Sequence, residues 1–256
     1  MTEFDALVRI MQRLREPRGC PWDREQTHDT LKPYLLEECY ELLEAVDQQD
    51  PEAMCGELGD VLLQVVFHAR LAQEAGRFDV RDVCRRINDK LVHRHPHVFG
   101  DVHVSNSDEV LYNWDRLKAD EAEAANRQSV LDGTPKALPA LMRATDLQKK
   151  ASKVGFDWDS VDGARAKVHE EEAELDHALQ TGDQEAIAHE LGDLLFSIVN
   201  VARFLKVDSE DALRLACNRF TQRFQAIEKQ AAEAGRSLQD MTLAEMDELW
   251  EAAKNA

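Results

Sequence analysis

The sequence predicts an all-α protein made of two tandem helical repeats, each completing a four-helix-bundle core on dimerisation. Three observations predict this. Apolar stripes with a helical period recur along the chain, and no strand-like alternation of useful length interrupts them. One acidic pattern occurs twice: Glu38-x-x-Glu41 with Glu57-x-x-Asp60, then Glu171-x-x-Glu174 with Glu190-x-x-Asp193, offset by 133 residues. Finally, the second long helix of each repeat is apolar around most of its circumference, through Val61, Leu62, Leu63, Val65 and Val66 in one case and Leu194, Leu195, Phe196, Ile198 and Val199 in the other. Such a helix must be covered on all sides, which one hairpin cannot do and a bundle of two hairpins can.

Taken in order, a stripe of Phe4, Leu7, Val8, Met11 and Leu14 predicts a helix over 4–15, ended by Pro17 and Gly19. A linking segment starts at Cys20-Pro21-Trp22-Asp23, and Thr27-His28-Asp29-Thr30 offers N-caps for a helix over 31–46. Asp50 caps the next helix with Pro51 at its first position, and Gly76 stops it. A helix over 80–93 follows; Pro96 breaks the pattern and residues 98–104 read as a loop, before Ser107 caps a helix over 108–125. Gly133, Pro135 and Pro139 are the breakers of a connector at 126–139, which separates domains at 1–125 and 140–256. The second domain restarts with a helix over 141–152; Gly155-Phe156-Asp157-Trp158-Asp159 takes the place of the Cys20 segment, and helices follow at 162–180, 184–205, 209–233 and 242–254.

The spacing within each acidic pattern is symmetric about a turn. Glu41 and Glu57 lie 8 residues either side of Gln49, and Glu38 and Asp60 lie 11; the same distances recur about Gly182. Residues three apart share a helix face. In an antiparallel pair, equal distance from the turn means equal height, here about 12 Å for the inner residues at the helical rise. Four carboxylates at one level repel unless cations lie between them. The set is all oxygen, with no Cys and no fixed His at that level, which favours Mg²⁺ or Mn²⁺ over Zn²⁺. Mg²⁺ commonly shares its coordination with substrate phosphates. Solvated acidic faces are the plainer reading in a chain that is 32% charged, but Asp60 and Asp193 sit inside the apolar runs Leu58–Leu63 and Leu191–Phe196.

Composition excludes other classes. Fifty acidic against 31 basic residues give a net charge of −19, unsuited to stable nucleic-acid or membrane-surface binding. No apolar run is long enough to cross a bilayer, and the acidic opening Met1–Asp5 carries no secretion signal. Five cysteines without a C-x-x-C pair read as reduced, mostly buried thiols of a cytosolic protein. His93, His95 and His97 lack a fourth ligand at zinc spacing, and Glu174-x-x-His177 has no matching Glu-x-x-His on the facing helix, so neither zinc nor di-iron is expected.

The residues also carry a resemblance. Gly19-Cys20-Pro21-Trp22-Asp23, Gln26-Thr27-His28, Glu37-Glu38-x-x-Glu41, Gly56-Glu57-Leu58-Gly59-Asp60, Arg94–Phe99, Val154–Trp158 and the second carboxylate set together resemble the MazG family of all-α nucleoside triphosphate pyrophosphohydrolases. The resemblance spans essentially the whole chain. It implies Mg²⁺-dependent hydrolysis of NTPs and dNTPs to the monophosphate and pyrophosphate, clearing excess or non-standard nucleotides, by a cytoplasmic homodimer. It further implies metal ligation by Glu38, Glu41, Glu57, Asp60, Glu171, Glu174, Glu190 and Asp193, with the second domain as the main catalytic one. Arg219 and Arg223, spaced i, i+4 like Lys90 and Arg94, would contact phosphates, and Trp250 in Trp250-x-x-x-Lys254, like Trp114-x-x-x-Lys118, would contact the nucleotide. Without the resemblance, each Trp reads as an anchor for the last helix.

Substrate contacts are expected from Lys167, Glu170, Asn200, Arg219, Arg223 and Trp250, with a carboxylate such as Glu171 or Glu170 taking the proton of an attacking water. The repeats differ where Asp193, Ser197 and Asn200 share a face: the first has Asp60, Gln64 and Phe67, and Phe67 cannot hydrogen-bond a substrate. A non-catalytic nucleotide sensor or scaffold on the same fold is the competing reading, and intact carboxylates in both repeats weigh against it.

Overall fold

The computed structural model describes residues 2–107, 109, 110, 113, 114, 117 and 128–254; the helix expected over 108–125 and Lys118 fall largely outside them. The chain divides into two compact units, residues 1–122 and 123–256. Among the described residues every regular element is helical, and none of the helices is long and apolar enough to cross a membrane.

In the first unit, α1 (Glu3–Leu14) opens with a reciprocal cap between Thr2 and Asp5. Its apolar stripe packs on the hairpin's second helix, where Met11 joins Leu31, Val66 and Phe67 in the core. The backbone then doubles back: Cys20 N–H reaches Leu14 O at 2.8 Å, and a side chain at Gly19 would collide with that carbonyl. Residues 21–25, expected as a linker, form the short α2 (Pro21–Glu25). Proline tolerates a first helical position because the N–H it lacks would go unpaired there. Thr27 and Thr30 cap a turn on each other rather than capping the helix; Leu31 precedes α3 (Lys32–Asp47). After the turn, Asp50 accepts from Glu52 and Ala53 N–H to start α4 (Pro51–Glu74). Asp79 caps α5 (Val80–Arg94). Pro96 then begins a further turn, α6 (Pro96–Phe99), where a loop was expected, again because proline suits a helix start.

The second unit repeats the plan. Residues 132–134 of the expected connector dock on α7 (Ala140–Ser152), through Lys150 Nζ to Asp132 O at 3.2 Å and to Thr134 Oγ1 at 2.6 Å. Ser160 caps α8 (Val161–Thr181) and Asp183 caps α9 (Gln184–Phe204). These two form the hairpin, and α7 lies against α9 and against α10 (Ser209–Glu233). A 3₁₀ turn leads to α11 (Leu243–Lys254), packed on α10.

The hairpins leave much of their apolar surface uncovered. Leu58, Leu62 and Val65 on α4 and Leu191, Leu195 and Ile198 on α9 are each 39–51% exposed. The cysteines share this fate. None is buried: Cys20 and Cys39 are half-buried, and Cys55, Cys84 and Cys217 are exposed. The expectation of mostly buried thiols fails because Cys39, Cys55, Cys84 and Cys217 lie on helix faces that the described residues leave at least partly uncovered.

The two hairpin turns use the left-handed backbone at equivalent places, Gly182 (φ 71°) and Gln49 (φ 53°). Glycine adopts that conformation freely, whereas a residue with Cβ is strained there. Gln49→Gly should therefore stabilise the first unit by about 1 kcal/mol, and Gly182→Ala should destabilise the second by about the same amount. No neighbour lies within 4 Å of an added Cβ at Gly182, so the cost there is one of backbone alone. Urea denaturation reads both; a fall in midpoint for Gln49→Gly would contradict the assignment.

Candidate active site

The turn geometry sets the heights of the carboxylates. In the second unit, one oxygen from each of Glu171, Glu174 and Glu190 lies within 4.8 Å of the others. Glu190 also groups with Asp193 and His189 at the same spacing. The hairpin thus carries the four expected carboxylates as two overlapping triplets rather than one ring. His189, not anticipated at this level, places Nδ1 3.2 Å from Asp193 and 3.6 Å from Glu190. In the first unit Glu38, Glu57 and Asp60 converge in the same way, with Glu41 outside the triplet.

Electrostatics separate the two sites. In the first, burial pushes the Glu38 carboxyl up, and the charges of Asp60, Glu41 and Glu57 push it further. Burial and then Glu41 and Asp60 do the same to Glu57. In the second, Glu174 is raised by burial and then by Glu171. Here, however, a cation answers the cluster: Lys167 Nζ lies 2.7 Å from Glu171 and 2.9 Å from Glu170. These bonds hold the Lys167 ammonium well above its usual range. Glu171 is only 4% exposed, so its pairing matters more than a surface contact would. The equivalent first-unit residue, 133 positions earlier, is Tyr34, which packs edge-on against Trp22.

A pocket of about 570 Å³ takes Glu171, Asp193 and Lys167 into its lining. Its apolar wall comes from Leu131, Leu147, Phe156, Trp158 and Phe196, and its polar groups include Gln148, Ser197 and Asn200. Arg203 bridges the edge. Its guanidinium grips the Asp157 carboxylate at 2.5 and 2.9 Å, and its Nε donates to Asn200 Oδ1 at 2.8 Å. Two parallel bonds of this kind fix a loop to a helix with directional precision. Trp158 reaches its place because residue 163 is glycine: a Cβ there would come within 2.5 Å of the indole.

The remaining expected contacts lie elsewhere. Glu170 is exposed and faces Lys167. Arg219, Arg223 and Trp250 belong to the α10–α11 pair and do not line the pocket. Trp250 packs on Phe220 at 5.2 Å and under Arg223 at 5.7 Å, the anchoring role open to any Trp at this position. Gln148 and Arg203 went unrecognised in the sequence although each carried a signal. Arg203 extends the face of Asp193, Ser197 and Asn200 by one more turn, and Gln148 is a polar residue in register with buried Ala144. In the first unit the position of Asn200 is held by Phe67, buried in the core and covered by Arg15 at 5.6 Å.

Known proteins share this chain's plan. The model of the MazG nucleotide pyrophosphohydrolase domain matches twice, over residues 26–99 and 160–227, which takes in both hairpins. A nucleoside triphosphate pyrophosphohydrolase of Escherichia coli is 46% identical over 257 residues, covering 99% of this chain and 98% of the relative. A MazG protein of Thermotoga maritima, described as a nucleoside triphosphate pyrophosphohydrolase/pyrophosphatase, is 48% identical over 98% of this chain and 95% of its own length. A Mycobacterium tuberculosis nucleoside triphosphate pyrophosphohydrolase is 35% identical over 90% of this chain and 59% of its own. With two family domains on its two carboxylate hairpins, and nearly half of its residues identical to the first two of these proteins over almost their full length, the chain belongs to the MazG family.

Proposed function

We propose that the second unit hydrolyses ribo- and deoxynucleoside triphosphates to the monophosphate and pyrophosphate. The observation that carries this reading is one pocket holding two kinds of surface: carboxylates from the cluster, and an apolar, partly aromatic wall. A triphosphate with a base attached needs both. The donor set fits a hard divalent cation, Mg²⁺ or Mn²⁺, because several carboxylate oxygens lie within 4.8 Å of one another and repel. Glu171, Glu174, Glu190 and Asp193 would hold it in the second unit, and Glu38, Glu41, Glu57 and Asp60 in the first. When bound, such a cation neutralises phosphate charge and acidifies water.

The chain's own groups supply the rest. Lys167 holds Glu171 from the preceding turn and offers charge to an approaching phosphate. Asn200, whose oxygen is taken by Arg203, has its amide N–H groups left to donate to substrate. Phe156, Trp158 and Phe196 give one side of the site an apolar, aromatic face against which a base can lie. The exposed apolar faces of α4 and α9 favour a homodimer in which each hairpin pairs with its own copy. Arg219, Arg223 and Trp250 do not line the pocket of their own chain, and a role for them as nucleotide contacts would rest on such a dimer. A reducing cytosol suits five free thiols, and removal of surplus or damaged nucleotides suits the reaction.

Pyrophosphate release from a panel of eight NTPs and dNTPs with Mg²⁺ tests the activity. Glu190→Ala and Asp193→Ala should each lower it on the order of a hundredfold or more while keeping the helical spectrum. Glu57→Ala and Asp60→Ala should cost less than about tenfold. Equal losses would make both units active, and near wild-type turnover in Asp193→Ala would remove the second unit from the reaction.

Metal binding in the first unit has a thermal readout. Because the Glu38 carboxyl is raised in the folded state, its ionisation opposes folding: stability is greatest below the usual carboxylate range and falls as pH rises through the raised value. Glu38→Gln should therefore melt higher than wild type at pH 8 without metal, and the gap should close towards pH 4. Added Mg²⁺ should raise the wild-type melting temperature more than the variant's; equal shifts would argue against a cation there.

Assembly is read by light scattering. A mass near twice 29.1 kDa is expected at micromolar concentration. A stable, active monomer would exclude the paired hairpins.

A further inference from the structure

Gln148 sits on α7 with only 7% of its surface exposed, and its Nε2 donates to the carbonyl of Phe196 at 2.8 Å. A carbonyl can only accept, so this bond settles which way the amide is turned: nitrogen towards α9, oxygen away from it. Oε1 is buried and meets no donor. Among the described residues few buried polar atoms lack a partner, and of these Oε1 of Gln148 is the one whose residue lines the pocket. A buried acceptor left without a donor destabilises the fold, and native structures keep few of them.

Several other polar groups of the pocket already have partners within the chain. Asn200 Oδ1 takes Arg203, Arg203 holds Asp157, and Lys167 holds Glu171. The pocket that Gln148 lines is otherwise largely apolar, with Leu147 and Ala151 and the aromatic rings of Phe156 and Phe196. A ligand part that suits such walls and satisfies a lone acceptor is planar, apolar on its faces and armed with an N–H at its edge. A nucleobase has that form.

We propose that Gln148 is a specificity-determining residue, whose Oε1 accepts a hydrogen bond from the N–H of the substrate's base edge; this rests on the nucleotide reading of the pocket. Every standard base has such a donor: the amino group of adenine or cytosine, N1–H of guanine, N3–H of uracil or thymine. Gln148 alone therefore does not choose among them. It rejects bases in which that donor is missing or alkylated, because binding them leaves the acceptor both dry and unpaired.

The test uses the full chain with Mg²⁺ and starts from the natural triphosphate with the highest kcat/KM. Its comparison is the analogue without the donor: purine riboside triphosphate against ATP, pyrimidin-2-one riboside triphosphate against CTP, 6-methoxypurine riboside triphosphate, which lacks both N1–H and the 2-amino group, against GTP, or 3-methyluridine triphosphate against UTP. Wild type should favour the natural substrate by roughly tenfold to a hundredfold. In Gln148→Met, which keeps the length of the side chain and removes the acceptor, that ratio should collapse towards one. The matching monophosphates, measured by calorimetry, should show the same preference in Kd, so the pocket is tested even if no triphosphate is hydrolysed. A wild-type protein indifferent to the analogue in Kd overturns the proposal. So does a Gln148→Met protein that keeps the full ratio, or a discrimination that follows the 2′-hydroxyl in the deoxy-sugar series rather than the base. Failure to hydrolyse any triphosphate, with the monophosphate preference intact, would overturn the reaction and leave the base contact standing.

Discussion

Everything at the site depends on the repulsion among carboxylates that two antiparallel helices carry at one height. The turn fixes that height. Asp50 and Asp183 start the returning helices with side-chain caps, and a left-handed residue sits at the apex of each turn. Once the register is set, the acidic groups of the two helices have to meet, and raised carboxyls at Glu38, Glu57 and Glu174 record the strain. A protein gains nothing in stability from such a cluster. Its persistence in both units makes sense as a site for positive charge, and stability is drawn from elsewhere, chiefly the helix caps and the small core around Met11 and Phe67.

The units have parted at the residues that surround this shared frame. Lys167 answers the second cluster, where Tyr34 stands in the first. His189 touches Asp193, where the first unit has Gly56. Asn200 lines a pocket, where Phe67 fills the core. Each exchange leaves the helix intact and alters what faces the carboxylates. One unit therefore offers room and polar groups beside its cluster, while its counterpart has invested the same position in packing.

Much of this was legible in the chain. Helix limits followed from caps and breakers that act within a few residues, and the acidic repeat gave the hairpins because equal spacing about a turn needs no tertiary knowledge. The short helix at Pro96–Phe99 was missed because Pro96 was read as a breaker, and the one at Pro21–Glu25 because its segment was read as a linker, although proline is a good first residue of a helix. The pocket was not legible. Gln148 on one helix and Phe196 on another meet only through packing, and the Asp157–Arg203 pair joins residues 46 apart. Exposed cysteines had the same cause: burial is a property of what covers a helix face, and sequence alone does not supply the cover.

Gly163 gives the pocket a remote adjustment. It lies eight residues before Glu171 on α8, roughly 12 Å along the helix axis, yet its missing side chain is what lets Trp158 lie against the helix. Any larger residue would lever the indole outward and move one wall of the cavity while leaving the acidic groups where they are. Cavity width and the placement of the carboxylates are thus governed by separate positions of a single helix. Descendants of this chain could widen or narrow the cavity through one small-residue exchange without moving the carboxylates.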